Sequence, residues 1–107
     1  MGAVVITNDV FDRDIGSGSG PAVIDFGATW CGPCQALAPE IEKMATEYDG
    51  RVLIGKVDVD ESTDLATRFS VMSVPTILFF KNGEKVDQIS GNFPDKIRER
   101  IETLIAQ

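Results

Sequence analysis

The amino-acid sequence predicts a single α/β domain over residues 1–107, with a mixed central sheet of about five strands flanked by about four helices. The length suits one hydrophobic core and leaves no room for a second. Short β-branched runs alternate with segments whose apolar residues recur at helical spacing, which is the pattern of strands joined by crossover helices. Near the end, Asn82-Gly83 separates two apolar runs and predicts a hairpin, so one edge of the sheet should be antiparallel.

The first half of the chain contributes three predicted strands and two predicted helices. Thr7-Asn8-Asp9 can cap the first helix, which should end by Gly16. The Gly/Ser-rich segment 16–21 predicts a loop, because it precedes a strand, whereas a dinucleotide-binding fingerprint follows one. Asp49-Gly50 ends the second helix. The predicted strands are Ala3–Ile6, Ala22–Phe26 and Val52–Val59, and the predicted helices cover residues 7–16 and 33–48.

The second helix carries an apolar stripe that should face the core, because its apolar residues recur at helical spacing. Pro39 lies inside this pattern and predicts a kink, since proline removes a helical N–H and crowds the preceding turn. The stripe consists of Leu37, Ile41, Met44, Ala45 and Tyr48.

The second half of the chain predicts a short helix, the hairpin and a last helix. The short helix covers Ser62–Phe69, and the hairpin strands are Thr76–Phe80 and Lys85–Ile89. The last helix covers Asn92–Ala106, with Pro94 near its first turn, where a missing N–H costs nothing. The residues expected to face the core are Leu65, Ala66, Phe69, Ile97, Ile101, Leu104 and Ile105.

Composition and charge narrow the function classes. Apolar residues make up 43% of the chain and charged residues 25%, which are ordinary globular values. The net charge of −7 argues against nucleic-acid binding, which would need a basic patch. The first basic residue is Arg13, so the N-terminus lacks the basic flank of a signal peptide, and the apolar stretch Val74–Phe80 is too short to span a membrane. We therefore expect a cytoplasmic protein.

The only two cysteines, Cys31 and Cys34, stand three positions apart, where a strand gives way to a helix. A structural disulfide would close too short a loop to stabilise the fold much. Zinc would need four ligands, and the chain has no histidine and no third cysteine. Inert buried thiols remain an alternative. A redox pair is favoured, because paired cysteines in a reducing compartment are more often catalytic than structural.

The start of the helix favours different tasks for the two thiols. The unsatisfied N–H groups of a first helical turn lower the pKa of a cysteine, so Cys31 is the candidate nucleophile. Cys34 lies one turn further in, should be less exposed, and is the candidate resolving thiol. Gly32 lets the loop turn without a Cβ, and Pro33 suits the first helical turn.

Two charged residues interrupt apolar strands, and each has two interpretations. Asp25 is either a half-exposed residue on an edge strand or a buried carboxyl with a raised pKa, ready for proton transfer. Lys56 is either the charge partner of Asp25 or a solvent-facing lysine near a strand end. Pro75 reads simply as a proline at a strand start, because a cis X–Pro bond is uncommon.

Taken together, these motifs resemble the thioredoxin family over essentially the whole chain, in order and at compatible spacing. A lone CxxC is moderately specific, whereas this set of motifs is highly specific. The matching residues are Asp25-Phe26, Trp30-Cys31-Gly32-Pro33-Cys34, Ala38-Pro39, Lys56-Val57-Asp58, Val74-Pro75-Thr76, Lys81-Asn82-Gly83 and Gly91.

The resemblance implies the thioredoxin fold and a dithiol–disulfide oxidoreductase that reduces disulfides in target proteins. Cys31 would attack, Cys34 would resolve the mixed disulfide, Asp25 would assist the proton transfer of Cys34, and Lys56 would tune Asp25. A separate reductase, NADPH–flavin or ferredoxin-linked, would restore the dithiol. The resemblance implies no bound cofactor or metal, and we expect a monomer that binds neither nucleic acid nor membrane.

The resemblance also implies a flat apolar surface for substrate proteins around the sulfur atoms. Val74 would offer its backbone to an extended segment of the substrate, ahead of a cis Pro75. Gly91 would let the partner approach closely. The residues assigned to substrate binding are Trp30, Gly32, Pro33, Val74, Pro75 and Gly91.

Two departures from the family pattern lie next to the motif. Gly27 stands where the family commonly has a tryptophan, and Gln35 where a lysine is frequent. These changes bear on loop rigidity, thiol pKa and partner choice but remove no reactive group. Two alternative functions are a disulfide oxidase or isomerase on the same fold, and a non-redox binding subunit that uses the same surface.

Overall fold

Within residues 2–18 and 20–107, which the computed structural model describes, the chain forms five strands and four helices. Met1 and Ser19, the latter within the predicted connector 16–21, lie outside the described residues. In chain order the elements are β1 (Val4–Val5), α1 (Asn8–Asp14), β2 (Pro21–Gly27), α2 (Gly32–Glu47), β3 (Leu53–Asp58), α3 (Thr63–Arg68), β4 (Thr76–Lys81), β5 (Glu84–Ser90) and α4 (Pro94–Ala106).

The strands form one mixed sheet in the order β1-β3-β2-β4-β5. β3 is parallel to both β1 and β2, whereas β4 is antiparallel to β2 and forms a hairpin with β5. The predicted α/β class, with a mixed sheet and an antiparallel edge, is confirmed. β2 lies at the centre, so the residues that follow it emerge from the middle of the sheet.

Both faces of the sheet are covered by helices. Val23 and Phe79 point to one face and pack with residues of α2 and α4. Ile24 and Phe80 point to the other face and pack with residues of α1 and α3. Strands buried on both faces read as continuous apolar runs, which explains the composition of β2 and β4. Side chains alternate along a strand, so Asp25 follows Val23 on the face that α2 covers.

The predicted hairpin turn is confirmed, and some of the helix and strand bounds differ from the predicted ones. Asn82 and Gly83 both have positive φ, at 52° and 85°, as a two-residue hairpin turn requires. α2 continues through Pro39 as one helix. α4 begins at Pro94, two residues later than predicted, because the fixed φ of proline suits the first helical position.

The two edges of the sheet differ from its centre. β1 is only two residues long, Val4–Val5. β5 carries the exposed charges Glu84 and Lys85, and its register with β4 shifts between Phe79 and Phe80. Such a shift marks a β-bulge, which twists an edge strand locally.

Candidate active site

The two cysteines form a disulfide at the start of α2, with their Cα atoms 5.2 Å apart. Cys31 is the N-cap residue of the helix, and its Sγ accepts a hydrogen bond from the backbone N–H of Cys34 at 3.2 Å. Pro33 occupies the first turn of the helix, where backbone N–H groups have no helical acceptor, so proline costs no hydrogen bond there. A thiolate at Cys31 would therefore be stabilised by both a hydrogen bond and the helix dipole.

The expected difference in exposure between the two cysteines is not found, since Cys34 and Cys31 are both buried, at 7% and 6% exposed. Gly27, at the end of β2, lies next to Cys34. A Cβ placed on Gly27 would lie 3.4 Å from both Cβ and Sγ of Cys34. Because glycine has no side chain, no group projects from this position over the second sulfur.

The Cys31 side of the disulfide opens on a cavity of about 510 Å³. Trp30 and Met72 stand at its walls, 69% and 95% exposed. The indole Nε1 of Trp30 donates a hydrogen bond to Asp60 at 2.8 Å, which fixes the ring at the wall of this cavity. The predicted binding residues Trp30, Gly32, Pro33 and Val74 all line this cavity.

The two remaining predicted binding residues lie next to Val74. The Val74–Pro75 bond is cis, as the resemblance implied, and the carbonyl oxygen of Val74 lies 3.8 Å from the Sγ of Cys31. Pro75 itself is buried. Gly91 has a φ of +108°, and its N–H donates to the Pro75 carbonyl at 2.8 Å. Gly91 therefore supports the loop that carries Val74.

Asp25 lies on the central strand β2, so the edge-strand interpretation is wrong. Its side chain is half-buried, and its Oδ1 is fully buried with no hydrogen-bond donor among the described groups. Burial raises the pKa of Asp25 from 3.8 to about 6, although the nearby Lys56 acts in the opposite direction. The carboxyl can therefore gain and lose a proton near neutral pH.

Lys56 is the register partner of Asp25 on β3, but its ammonium group is directed elsewhere. Its Nζ donates to the Oε2 of Glu42 at 3.1 Å, and Lys56 is exposed. Glu42 also accepts the backbone N–H of Ala3 at 2.8 Å. Lys56 therefore forms its ion pair with Glu42 and not with Asp25. It lowers the pKa of Asp25 only through its charge, without direct contact.

Glu42 and Asp60 are residues that the sequence interpretation missed. Cys34, Ala38 and Glu42 are spaced by four along α2, so they lie on one side of the helix. That spacing was a usable signal for Glu42. Asp60 follows β3 in a loop, and no local pattern connects it with Trp30, from which it is 30 residues distant.

We find neither a metal-binding cluster nor a membrane-spanning helix within residues 2–18 and 20–107. No three His, Cys, Asp or Glu side chains gather there as they would around a metal ion. None of the helices formed by these residues is long and apolar enough to cross a membrane.

Comparison with known proteins decides the family. The thioredoxin family model matches residues 2–103. The chain belongs to the thioredoxin family. A thioredoxin of Staphylococcus saprophyticus is 47% identical over 103 residues, which cover 95% of this chain and 97% of that protein. The chloroplastic M-type thioredoxin of Pisum sativum is 39% identical over 102 residues, which cover 94% of this chain and 59% of that protein.

A solved structure agrees with this assignment. The crystal structure of Malassezia sympodialis thioredoxin (Mala s 13) is 40% identical and superposes with a TM-score of 0.89. The match covers 98% of this chain and 93% of that one. Thioredoxins are disulfide oxidoreductases, and the chain carries the cysteine pair that this activity needs. The chain is therefore a protein dithiol–disulfide oxidoreductase.

Proposed function

We propose that Cys31 is the attacking thiolate for disulfides in substrate proteins. The hydrogen bond from the Cys34 N–H to the Cys31 Sγ, at the N-cap of α2, carries this proposal. Such a bond, together with the helix dipole, stabilises a thiolate more than a thiol. The thiolate attacks one sulfur of the substrate disulfide, forms a mixed disulfide, and releases the other substrate sulfur as a thiolate.

Cys34 then resolves the mixed disulfide. Its thiol gives up a proton, its sulfur attacks the Sγ of Cys31, and the substrate leaves fully reduced. Asp25 lines the same cavity as Cys34 and has a pKa of about 6, so its carboxylate accepts that proton. Lys56 tunes this step, because its positive charge lowers the pKa of Asp25.

The substrate protein docks on the exposed apolar surface around Cys31. An extended segment would pair with the backbone of Val74, which lies beside the Cys31 Sγ. Trp30, Gly32 and Pro33 would contact the residues that flank the substrate disulfide. Pro75 and Gly91 would fix the shape of the Val74 loop through the bond between them.

The partners that this chemistry needs are disulfide-containing proteins and a separate reductase that returns electrons to the pair. We infer that the chain acts as one domain over residues 1–107, as a monomer in the cytoplasm, without a bound cofactor. The acidic net charge of −7 favours partners with basic surfaces.

Single-cysteine variants test the two roles. Cys31→Ser should abolish reduction of a protein disulfide, because no attacking thiolate remains. Cys34→Ser should still attack but trap the substrate as a covalent mixed disulfide, visible as an added mass after non-reducing electrophoresis. An active Cys31→Ser variant, or trapping by Cys31→Ser instead, would reverse the assignment.

The direction of electron flow is tested by the reduction potential of the pair, followed by Trp30 fluorescence in a dithiol buffer. A reductase requires a potential at or below the cytosolic glutathione poise, roughly −250 mV or lower. A potential well above about −200 mV would support the oxidase or isomerase alternative.

A further inference from the structure

The disulfide lies between two cavities, and each sulfur belongs to a different one. Cys31 lines the cavity of about 510 Å³ that is assigned above to substrate proteins. Cys34 lines a second cavity of about 350 Å³, which we call the rear cavity. The rear cavity is lined by Val5, Asp25, Gly27, Ala28, Thr29, Cys34, Gln35, Ala38, Lys56, Val57 and Asp58.

The rear cavity reaches Cys34 because the residues between the sulfur and solvent are small. Gly27 has no side chain, although a Cβ there would touch the Cys34 Sγ at ordinary contact distance. Its φ lies outside the positive range, so the backbone does not require glycine. Ala38, one helical turn beyond Cys34, is exposed and also small. The access to Cys34 is therefore a property of these side chains.

The chemistry of the disulfide favours attack from this side. Thiol–disulfide exchange is fastest when the leaving sulfur has the lower pKa. Attack at Cys34 expels Cys31, whose thiolate is stabilised at the N-cap by the Cys34 N–H. The nucleophile must approach opposite the leaving sulfur, and the rear cavity is lined by Cys34 and not by Cys31.

We propose that the rear cavity admits low-molecular-weight thiols, which reduce the Cys31–Cys34 disulfide by attack at Cys34. A thiolate RS⁻ bonds to the Sγ of Cys34, the Cys31–Cys34 bond breaks, and Cys31 leaves as a thiolate. A second RS⁻ then attacks the sulfur of R, which releases RSSR and the Cys34 thiolate, and one proton from solvent completes the thiol. Two thiols are oxidised and one protein disulfide is reduced.

The walls of the rear cavity define the class of thiol. Its volume exceeds the roughly 150 Å³ of a cavity that holds benzene, so a short substituent on Cys34 fits. Asp25, Asp58 and Lys56 together leave one net negative charge when both carboxyls are ionised, and the whole chain carries −7. Small neutral or zwitterionic thiols, of the size of 2-mercaptoethanol or cysteine, should therefore react faster than polyanionic ones.

The position of the mixed disulfide tests the proposal directly. Oxidised protein is mixed with 2-mercaptoethanol, quenched with acid at early times, alkylated, and mapped by mass spectrometry. We expect mercaptoethanol on Cys34 and the alkyl group on Cys31. The opposite labelling would overturn the proposal, because the thiol would then have entered from the substrate side.

A matched pair of variants on α2 tests the route. Ala38→Leu narrows the rear cavity, whereas Ala36→Leu makes the same change at an exposed position that lines neither cavity. Ala38→Leu should slow reduction by 2-mercaptoethanol about tenfold, a barrier increase of about 1.4 kcal/mol. Ala36→Leu should leave it unchanged. Equal rates in both variants, or equal slowing, would overturn the proposal.

The same variants separate this proposal from the proposed function. Combined with Cys34→Ser, both should trap a substrate protein on Cys31 at the same rate as Cys34→Ser alone, because that first attack uses Cys31 and the opposite cavity. If the substrate protein is still trapped on Cys31 while Ala38→Leu does not slow reduction by 2-mercaptoethanol, only the proposal for the rear cavity fails. If Cys34→Ser traps no substrate protein, the assignment of Cys31 fails instead.

Discussion

Replacing Asp25 by asparagine should stabilise the oxidised protein at alkaline pH and not at acid pH. Burial raises the pKa of Asp25 from 3.8 to about 6 in the folded state, whereas the unfolded chain keeps the ordinary value. Each pKa unit corresponds to about 1.36 kcal/mol, so ionising the folded carboxyl costs about 3 kcal/mol above both values. Partial exposure of the side chain reduces this to about 2–3 kcal/mol.

The direction in which stability changes with pH follows from proton binding to the folded and unfolded states. Between the two pKa values the folded state holds more protons than the unfolded state, so stability falls as the pH rises. Below about pH 3.8 the carboxyl is protonated in both states and the penalty vanishes. The asparagine side chain carries no charge at any pH, so the stability gained by the variant should grow as the pH rises from 3.8 to about 6 and be complete above that range.

Urea unfolding of the oxidised wild type and Asp25→Asn at about pH 3.5 and about pH 8 measures this difference. We expect similar midpoints at the acid pH and a higher midpoint for the variant at the alkaline pH. Asp9→Asn provides a control for removing one negative charge from the surface. A gain of equal size at both pH values would refute the desolvation argument.

Three further changes probe other contacts. Glu42→Gln should lower the pKa of Asp25, because it removes a negative charge and frees Lys56 from its ion pair. An NMR titration of the Asp25 carboxyl measures this pKa, and an unchanged value would contradict the prediction. Gly91→Ala should cost about 1–3 kcal/mol in urea unfolding, because φ is +108°, and a smaller loss would mean that the loop adapts. Thr7→Ala should cost about 0.5–2 kcal/mol by the same assay, because Thr7 caps α1, whereas Thr7→Ser should retain most of the stability.

The elements were predictable because their signals are local. The apolar run of β2, the apolar stripe of α2 and the Asn82-Gly83 turn each depend on neighbouring residues, and each was read correctly. The position of Cys31 at a helix start was predictable for the same reason.

The errors concern contacts between distant segments. Whether Cys34 is covered depends on Gly27, which a different element contributes. The sequence leaves the partner of Lys56 open, because α2 brings Glu42 over β3, and the same carboxylate accepts a hydrogen bond from Ala3, 39 residues away. Such contacts follow from how helices pack on the sheet, which sequence patterns alone do not specify.

The shape of the sheet edges has a consequence for behaviour at high protein concentration. Open strand edges are templates on which other chains can pair and aggregate. Here one edge, Val4–Val5, is too short to support a ladder, and the other is bulged and carries Glu84 and Lys85. The fold thereby keeps backbone pairing with other chains away from both edges of its sheet.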